Sequence, residues 1–312
     1  MRKILITDDV HSIMISNFEN AGFQCDLFPT YTNEDIFNCI EEYEGIIINS
    51  KTKMLKKVLD KASQLKFIGR LGSGMEIIDV EYATKKGIQC FSVPEGNRDA
   101  VAEHAIGMVL SLFNNLNRAD REVKQFVWER EKNRGVELGG KTVALIGYGN
   151  TGKALAKKLS GFGVELLAYD KYLSNYSDVY ATEASMNLIF EKADIVSFHL
   201  PLTAETEYLC DNFFVEKFKK NIFIINTSRG QVINLEKIFF QIKSKKIKGI
   251  CLDVFENEKP MLYSIYEKKK YSDLYSMDSV MLSPHVAGWT KESKYKIGNL
   301  LSKKIINTIY NR

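Results

Sequence analysis

The chain has 312 residues, 45% hydrophobic and 26% charged, the balance of a soluble globular protein with room for two cores. Lysine and arginine exceed aspartate and glutamate by 43 to 39, and that net charge of +4 is scattered rather than gathered into a nucleic-acid surface. No apolar run approaches bilayer length, and residues 4–6 are too few for a signal-peptide core, so neither membrane nor nucleic acid is an expected partner.

Residues 3–7, 23–28, 45–49, 66–70 and 88–92 read as strands. Amphipathic stretches separate them; in 53–62, Met54, Leu55, Val58, Leu59 and Ala62 recur at helical spacing. Alternation of this kind predicts a parallel, doubly wound α/β sheet. Pro94-Glu95-Gly96-Asn97 breaks the pattern, and a long helix is expected over 99–116. Its stripe of Ile106, Val109, Leu110, Leu112 and Phe113 suits either the chain's own core or a subunit contact.

From Lys141 the alternation restarts, with strands expected at 142–146, 164–169, 194–198, 222–226, 249–254 and 280–282. These runs are nearly continuous in apolar residues, as strands covered on both faces require. Residues 257–279 show no firm pattern, and the run Lys268-Lys269-Lys270 within them reads as a solvated loop. A final helix is expected over 290–310. The five cysteines (Cys25, Cys39, Cys90, Cys210, Cys251) are far apart and form no metal-binding spacing, which suits free thiols in a reducing cytoplasm and no metal.

Gly147-Tyr148-Gly149-Asn150-Thr151-Gly152 follows the strand at 142–146 and opens a helical pattern. Gly147 permits a tight turn, Gly149 lets backbone approach a pyrophosphate, and Gly152 lets helix and strand pack closely. Asp170 lies 18 residues after Gly152, at the end of the next strand. A carboxylate there accepts bonds from ribose hydroxyls and repels a 2′-phosphate, so NAD is the expected cofactor rather than NADP.

Three ionisable residues follow strands of the same sheet: Arg229 after 222–226, Glu258 shortly after 249–254, and His285 after 280–282. Strand carboxyl ends converge on the ligand crevice of an open parallel sheet. Oxidising a 2-hydroxy acid needs a base for the hydroxyl proton, a cation for the carboxylate and a group that orients the base. His285 suits the first because imidazole titrates near neutrality. Arg229 suits the second through two parallel bonds, and Glu258 the third through the other imidazole nitrogen.

With these motifs the chain resembles the D-isomer-specific 2-hydroxyacid dehydrogenases, and among them the D-3-phosphoglycerate dehydrogenases. Nearly the whole length takes part: Gly69-Arg70-Leu71-Gly72-Ser73-Gly74, Asn97, Val101-Ala102-Glu103-His104, the Gly147 loop with Asp170, His199-Leu200-Pro201-Leu202-Thr203, residues 226–230, residues 253–258, and Ser283-Pro284-His285-Val286-Ala287-Gly288. The resemblance implies a Rossmann NAD domain at 98–285 inserted into a flavodoxin-like substrate domain made of 1–97 and 286–312. It implies Arg229, Glu258 and His285 as the catalytic residues. Gly147, Gly149, Asn150, Thr151, Gly152, Asp170, Leu200, Thr227, Ser228, Arg229, Asp253, His285 and Gly288 would contact NAD, with Asp253 near the nicotinamide amide. Arg70, Ser73, Gly74, Asn97 and Arg229 would meet a small 2-hydroxy or 2-oxo acid. It further implies a homodimer built through the NAD domain.

The resemblance points to D-3-phosphoglycerate as substrate, in serine biosynthesis, with a glyoxylate or hydroxypyruvate reductase as the alternative. Asn49 stands where phosphoglycerate dehydrogenases usually carry an arginine, leaving Lys51 or Arg70 to meet a phosphate. Lys259 follows Glu258 where many relatives have proline. The chain ends at Arg312, so a C-terminal regulatory domain and serine feedback are not expected. An NAD-sensing, corepressor-like binding protein is the rival from another class, and formate dehydrogenase, which pairs its histidine with glutamine, a rival within the fold.

Overall fold

Nearly uninterrupted isoleucine, valine, leucine and phenylalanine make the central strands, because a strand covered on both faces has no solvent side for polar residues. A computed structural model describes residues 2–310, apart from the side chain of Lys270. The chain divides into two compact units, Met1–Asn97 with Trp289–Arg312, and Arg98–Gly288. The expected boundary after residue 285 lies within the 283–288 loop.

The first unit holds β1 (Arg2–Ile6), β2 (Phe23–Leu27), β3 (Gly45–Ile48), β4 (Phe67–Arg70) and β5 (Gln89–Phe91). All are parallel, in the order β2-β1-β3-β4-β5, the flavodoxin-like order. Leu5, Ile46, Ile48 and Ile68 point to one face and pack with Leu59 and Ala83. Ile4, Ile6, Ile47 and Phe67 point to the other, against Met14 and Phe18 of the helix Ser12–Asn20 and Ile297, Leu301 and Ile305 of the helix Lys291–Ile309. The C-terminal helix therefore completes a layer begun at the N-terminus.

The second unit holds β6 (Thr142–Ile146), β7 (Glu165–Tyr169), β8 (Thr182–Glu183), β9 (Ile195–Phe198), β10 (Ile222–Asn226), β11 (Ile247–Leu252) and β12 (Val280–Leu282). Their order is β12-β11-β10-β9-β6-β7-β8, all parallel. The chain leaves β6 toward β7 on one side and returns to β9 on the other, so the switch point lies between β6 and β9. The carboxyl ends are level: Tyr169 pairs with Ile146, Ile146 with Phe198, Phe198 with Asn226, Asn226 with Leu252 and Leu252 with Leu282. Every loop that follows a long strand of this sheet starts from one line.

Four local expectations change. The helix expected over 99–116 is found over Arg98–Phe113; it stops short because Asn115 takes a left-handed backbone conformation (φ 52°), and a second helix, Leu116–Lys124, follows. Val109 and Phe113 of its stripe are buried in the unit's own core, with Ile106, Leu110 and Leu112 packed against it. The helix expected over 53–62 spans only Lys56–Lys61, because Met54 pairs instead with Ile78 in a β-bridge. Residues 265–275, part of the unassigned stretch, form a helix that includes the lysine run, started by a capping box between Ser264 and Glu267. Strand β8 was not expected; it is two exposed residues on the sheet edge.

Candidate functional site

At the switch point, Gly147 has φ 96°, and a Cβ there would lie 2.4 Å from the carbonyl oxygen of His199 after β9. The Gly152 Cα faces the loop so closely that a Cβ would stand 2.3 Å from the Gly147 carbonyl oxygen. At Gly149, which caps the helix Asn150–Leu159, an added Cβ would meet nothing within 4 Å. Asn150 is exposed and Thr151 half-buried on the first turn of that helix. The turn is thus tight where protein meets protein and open where its helix N-terminus points its amides outward.

Asp170 follows β7 and locks onto the same loop: Tyr148 N–H donates to its Oδ2 at 3.0 Å, and Tyr172 N–H to its Oδ1 at 3.0 Å. Each carboxylate oxygen keeps acceptor capacity for a further donor. Leu200 packs partly buried against the core beside Gly147. His199 places Nε2 2.9 Å from Ser197 Oγ, and burial pushes its pKa down to about 4, so it is a neutral packing group.

The loop after β10 is tied to its own strand. Asn226 is fully buried; its Oδ1 accepts from Ser228 N–H and Oγ–H, and its Nδ2 donates to the Arg229 carbonyl. Thr227 Oγ1 is buried and has no hydrogen-bond partner among the described residues. A buried hydroxyl without a partner is costly, and a polar ligand at this edge would supply one. With the open glycine turn and Asp170, this edge fits a dinucleotide.

Gly230 explains how the β10 loop meets the β11 loop. A Cβ at Gly230 would lie 1.9 Å from the carbonyl carbon of Phe255, so the two backbones touch. Gln231 Nε2 donates to the Glu256 carbonyl, and Glu256 Oε1 accepts from Leu235 N–H at the start of the next helix. Beyond it, Lys259 N–H donates to Asn257 Oδ1 at 3.0 Å. A proline at 259 would have no N–H to give.

Glu258 and His285 meet. His285 Nδ1 lies 2.8 Å from Glu258 Oε2 and 2.9 Å from Oε1. Burial pushes the Glu258 carboxyl up, but the His285 bond and charge, the Phe255 N–H and the Arg229 charge together hold it below the usual range. An ionised carboxylate only accepts, so His285 carries hydrogen on Nδ1 and leaves Nε2 to take up a proton. Arg229 is half-buried, donates to the Ser228 carbonyl at 2.7 Å, and contributes its charge to the same pair. The three residues expected at the strand ends therefore gather at the ends of β10, β11 and β12.

Asp253, expected near a nicotinamide amide, is 1% exposed. Its carboxylate holds the next loop: Oδ1 accepts from Ser283 Oγ–H at 2.6 Å and Val286 N–H at 2.9 Å, and Oδ2 from Ala287 N–H at 2.9 Å. Sequence reasoning gave Asp253 no such task, because residues 30 or more positions away supply the donors. Gly288 closes the same loop. Among the described residues no group of three or more His, Cys, Asp or Glu could hold a metal ion, and no helix is long and apolar enough to cross a membrane.

In the first unit, Arg70 ends β4 and donates through Nη1 to Asn49 Oδ1 at 2.8 Å and to the Leu71 carbonyl at 2.6 Å. Asn49 N–H donates to Asp8 Oδ2 at 3.0 Å. Burial raises the Asp8 pKa against the opposing pull of Lys51, the Asn49 amide, Thr7 and Arg70. Lys51 Nζ donates to the Pro29 carbonyl. Ser73 is exposed and Gly74 half-buried in the turn after β4, while half-buried Asn97 closes the short helix Pro94–Gly96. The Asp8–Asn49–Arg70 ladder was missed; its only signal was that each residue lies at, or within two residues of, the end of a strand of one sheet.

Residues 106–287 match the family model described as "D-isomer specific 2-hydroxyacid dehydrogenase, NAD binding domain". D-3-phosphoglycerate dehydrogenase of Methanocaldococcus jannaschii is 32% identical over 98% of this chain. Hydroxypyruvate reductase of Thermotoga maritima is 33% identical, covering 88% of each chain. The first of these extends well beyond the match, and the chain spans 57% of its length. Among solved structures, D-lactate dehydrogenase from Aquifex aeolicus, complexed with NAD and lactic acid, superposes with a TM-score of 0.85 at 25% identity, over 99% of this chain and 96% of that one.

Proposed function

The chain belongs to the D-isomer specific 2-hydroxyacid dehydrogenase family, and we propose that it is an NAD-dependent oxidoreductase of D-2-hydroxy acids. The observation that carries this reading is the bond from His285 Nδ1 to the Glu258 carboxylate, with Arg229 contributing to the same field. Bound nicotinamide supplies the hydride acceptor or donor. In the oxidative direction His285 Nε2 takes the substrate hydroxyl proton, and the Glu258 carboxylate stabilises the imidazolium that forms. In the reductive direction the same nitrogen returns the proton. Arg229 holds the substrate carboxylate, fixing which face of the 2-carbon is presented.

The cofactor contacts in this reading are Gly147, Gly149, Asn150, Thr151 and Gly152 on the phosphates, Asp170 on the ribose, and Leu200, Thr227, Ser228, Asp253 and Gly288 along the strand ends. The unpartnered Thr227 hydroxyl supports it. Arg70, Ser73, Gly74 and Asn97 are assigned to the substrate. We further place the protein in a reducing cytoplasm, where its five free thiols persist, and as a homodimer through the NAD-binding unit. Leu116, Val123, Phe126 and Trp128, all exposed after the first long helix, support that assembly, Phe126 at 100% and Trp128 at 77%.

The proposed substrate pair is D-3-phosphoglycerate and 3-phosphohydroxypyruvate, in serine biosynthesis, supported by phosphoglycerate dehydrogenases that match almost the whole chain. A second reading, a small unphosphorylated acid such as hydroxypyruvate or glyoxylate, is favoured by the ladder in the first unit. There Arg70 is engaged by Asn49, Lys51 by Pro29, and Asp8 brings a carboxyl that a phosphate dianion would oppose. A panel of 3-phosphohydroxypyruvate, hydroxypyruvate and glyoxylate with NADH or NADPH separates the readings. The phosphorylated acid should show the highest kcat/KM, with NADH strongly preferred. Hydroxypyruvate outperforming its phosphate ester decides for the second reading, and equal use of NADPH overturns the placing of Asp170 on the ribose.

A further inference from the structure

His104 lies on the helix Arg98–Phe113, far in sequence from the strand-end loops, yet it reaches the one that carries His285. Its Nε2 stands 2.8 Å from Ser283 Oγ and 3.6 Å from Asp253 Oδ1. Ser283 has one hydroxyl hydrogen, and its 2.6 Å contact with an acceptor-only carboxylate commits that hydrogen to Asp253. Ser283 Oγ can then only accept from His104, so His104 carries hydrogen on Nε2. The result is a directed chain, His104 Nε2–H to Ser283 Oγ–H to Asp253 Oδ1.

Its far end is the backbone of the 283–287 loop. Asp253 takes the Val286 and Ala287 amides on its carboxylate and the His285 amide on its main-chain carbonyl, the last at 2.7 Å. Between them His285 has φ 54°, a left-handed conformation that residues with a Cβ rarely adopt without support. We propose that His104 is a positioning residue: through Ser283 and Asp253 it fixes the loop whose strained backbone presents His285 to Glu258. The inference rests on reading His285 as the proton-transfer group, but the linkage itself is a property of the free protein.

Three features of the chain make it testable. Glutamine places a donor where the His104 Nε2–H stands, leucine places none, and Ser283→Ala cuts the chain one link further on. With the wild-type protein active on a 2-oxo acid, His104→Leu should lower kcat about tenfold, with NADH affinity and substrate KM changed less than about twofold. His104→Gln should restore most of the rate. Ser283→Ala should match His104→Leu, and the double variant should be no slower than either, since both cut one chain. Amide hydrogen exchange of the cofactor-free protein supplies the second readout: Val286 and Ala287 should exchange faster in His104→Leu and recover in His104→Gln.

Unchanged exchange together with unchanged kcat in His104→Leu overturns the proposal, as do additive losses in the double variant or a glutamine variant no better than leucine. Should His104→Leu fail to fold, Ser283→Ala carries the same two readouts. An inactive wild-type protein would instead sink the role given to His285, while the exchange result would still decide the linkage.

Discussion

At His285 a left-handed backbone coincides with a three-centre bond from Nδ1–H to the two oxygens of Glu258. The conformation costs on the order of 1 kcal/mol for a residue with a Cβ, and three bonds from the 285–287 amides to Asp253 offset it. The Glu258 pair does different work: it sets the tautomer and supplies a counter-charge. Glu258→Gln keeps the shape and removes that charge. The imidazolium then loses stabilisation, so the high-pH limb of kcat for 2-oxo acid reduction, where the proton donor is lost, should move about one unit lower. An unshifted limb would break the functional pairing, whatever the distance. The same pair has a stability signature of known sign. The folded-state pKa of Glu258 is depressed, so its contribution is present above the ordinary carboxylate pKa and is lost as pH falls through the folded value. With the side chain well exposed, that contribution is small.

Elements bring these residues together by register rather than by sequence proximity. Because Asn226, Leu252 and Leu282 pair across neighbouring strands, loops some 30 residues apart in sequence emerge side by side. The glycine turn is set the same way, with Gly147 wedged between the ends of β6 and β9. Gly147→Ala must pay both for φ 96° and for a Cβ 2.4 Å from the His199 carbonyl. It should lose about 2 kcal/mol or more in chemical denaturation and weaken NADH binding at least tenfold by fluorescence titration. Wild-type stability with wild-type affinity would contradict the switch-point placement.

Strands were the most legible elements, since runs such as Val143-Ala144-Leu145-Ile146 have no polar side to confuse them. The helix Ile265–Tyr275 was not, because tyrosines and lysines blur its periodicity; only the Ser264/Glu267 box announced it. Strand β8 is too short to carry a pattern, and the break at Asn115 turns on one backbone angle. Within the site, Arg229, Glu258 and His285 were legible because each directly follows a recognisable strand or lies in its loop. The task of Asp253, the His104–Ser283 bond and the Asp8–Asn49–Arg70 ladder needed the register, since their partners are set by pairing rather than by spacing.

For the whole molecule, the order of units follows from where the sheets close. The first sheet needs the helix Lys291–Ile309 to cover Ile4, Ile6, Ile47 and Phe67, so the chain must return after the second unit is made. The second unit carries the glycine turn, Asp170 and all three strand-end residues, and is the part that the NAD-binding family model matches. The residues proposed for the chemistry are thereby concentrated in one unit, with His285 proposed as the proton carrier. The measurement that bears on this most directly is NADH oxidation by wild type and His285→Ala, with 3-phosphohydroxypyruvate, hydroxypyruvate and glyoxylate. A proton-carrying His285 requires turnover of at least one acid by the wild type, a fall of about 100-fold or more in kcat for His285→Ala, and NADH affinity unchanged within about twofold. A variant that turns over at the wild-type rate, or a wild-type protein that reduces none of the three, would contradict it.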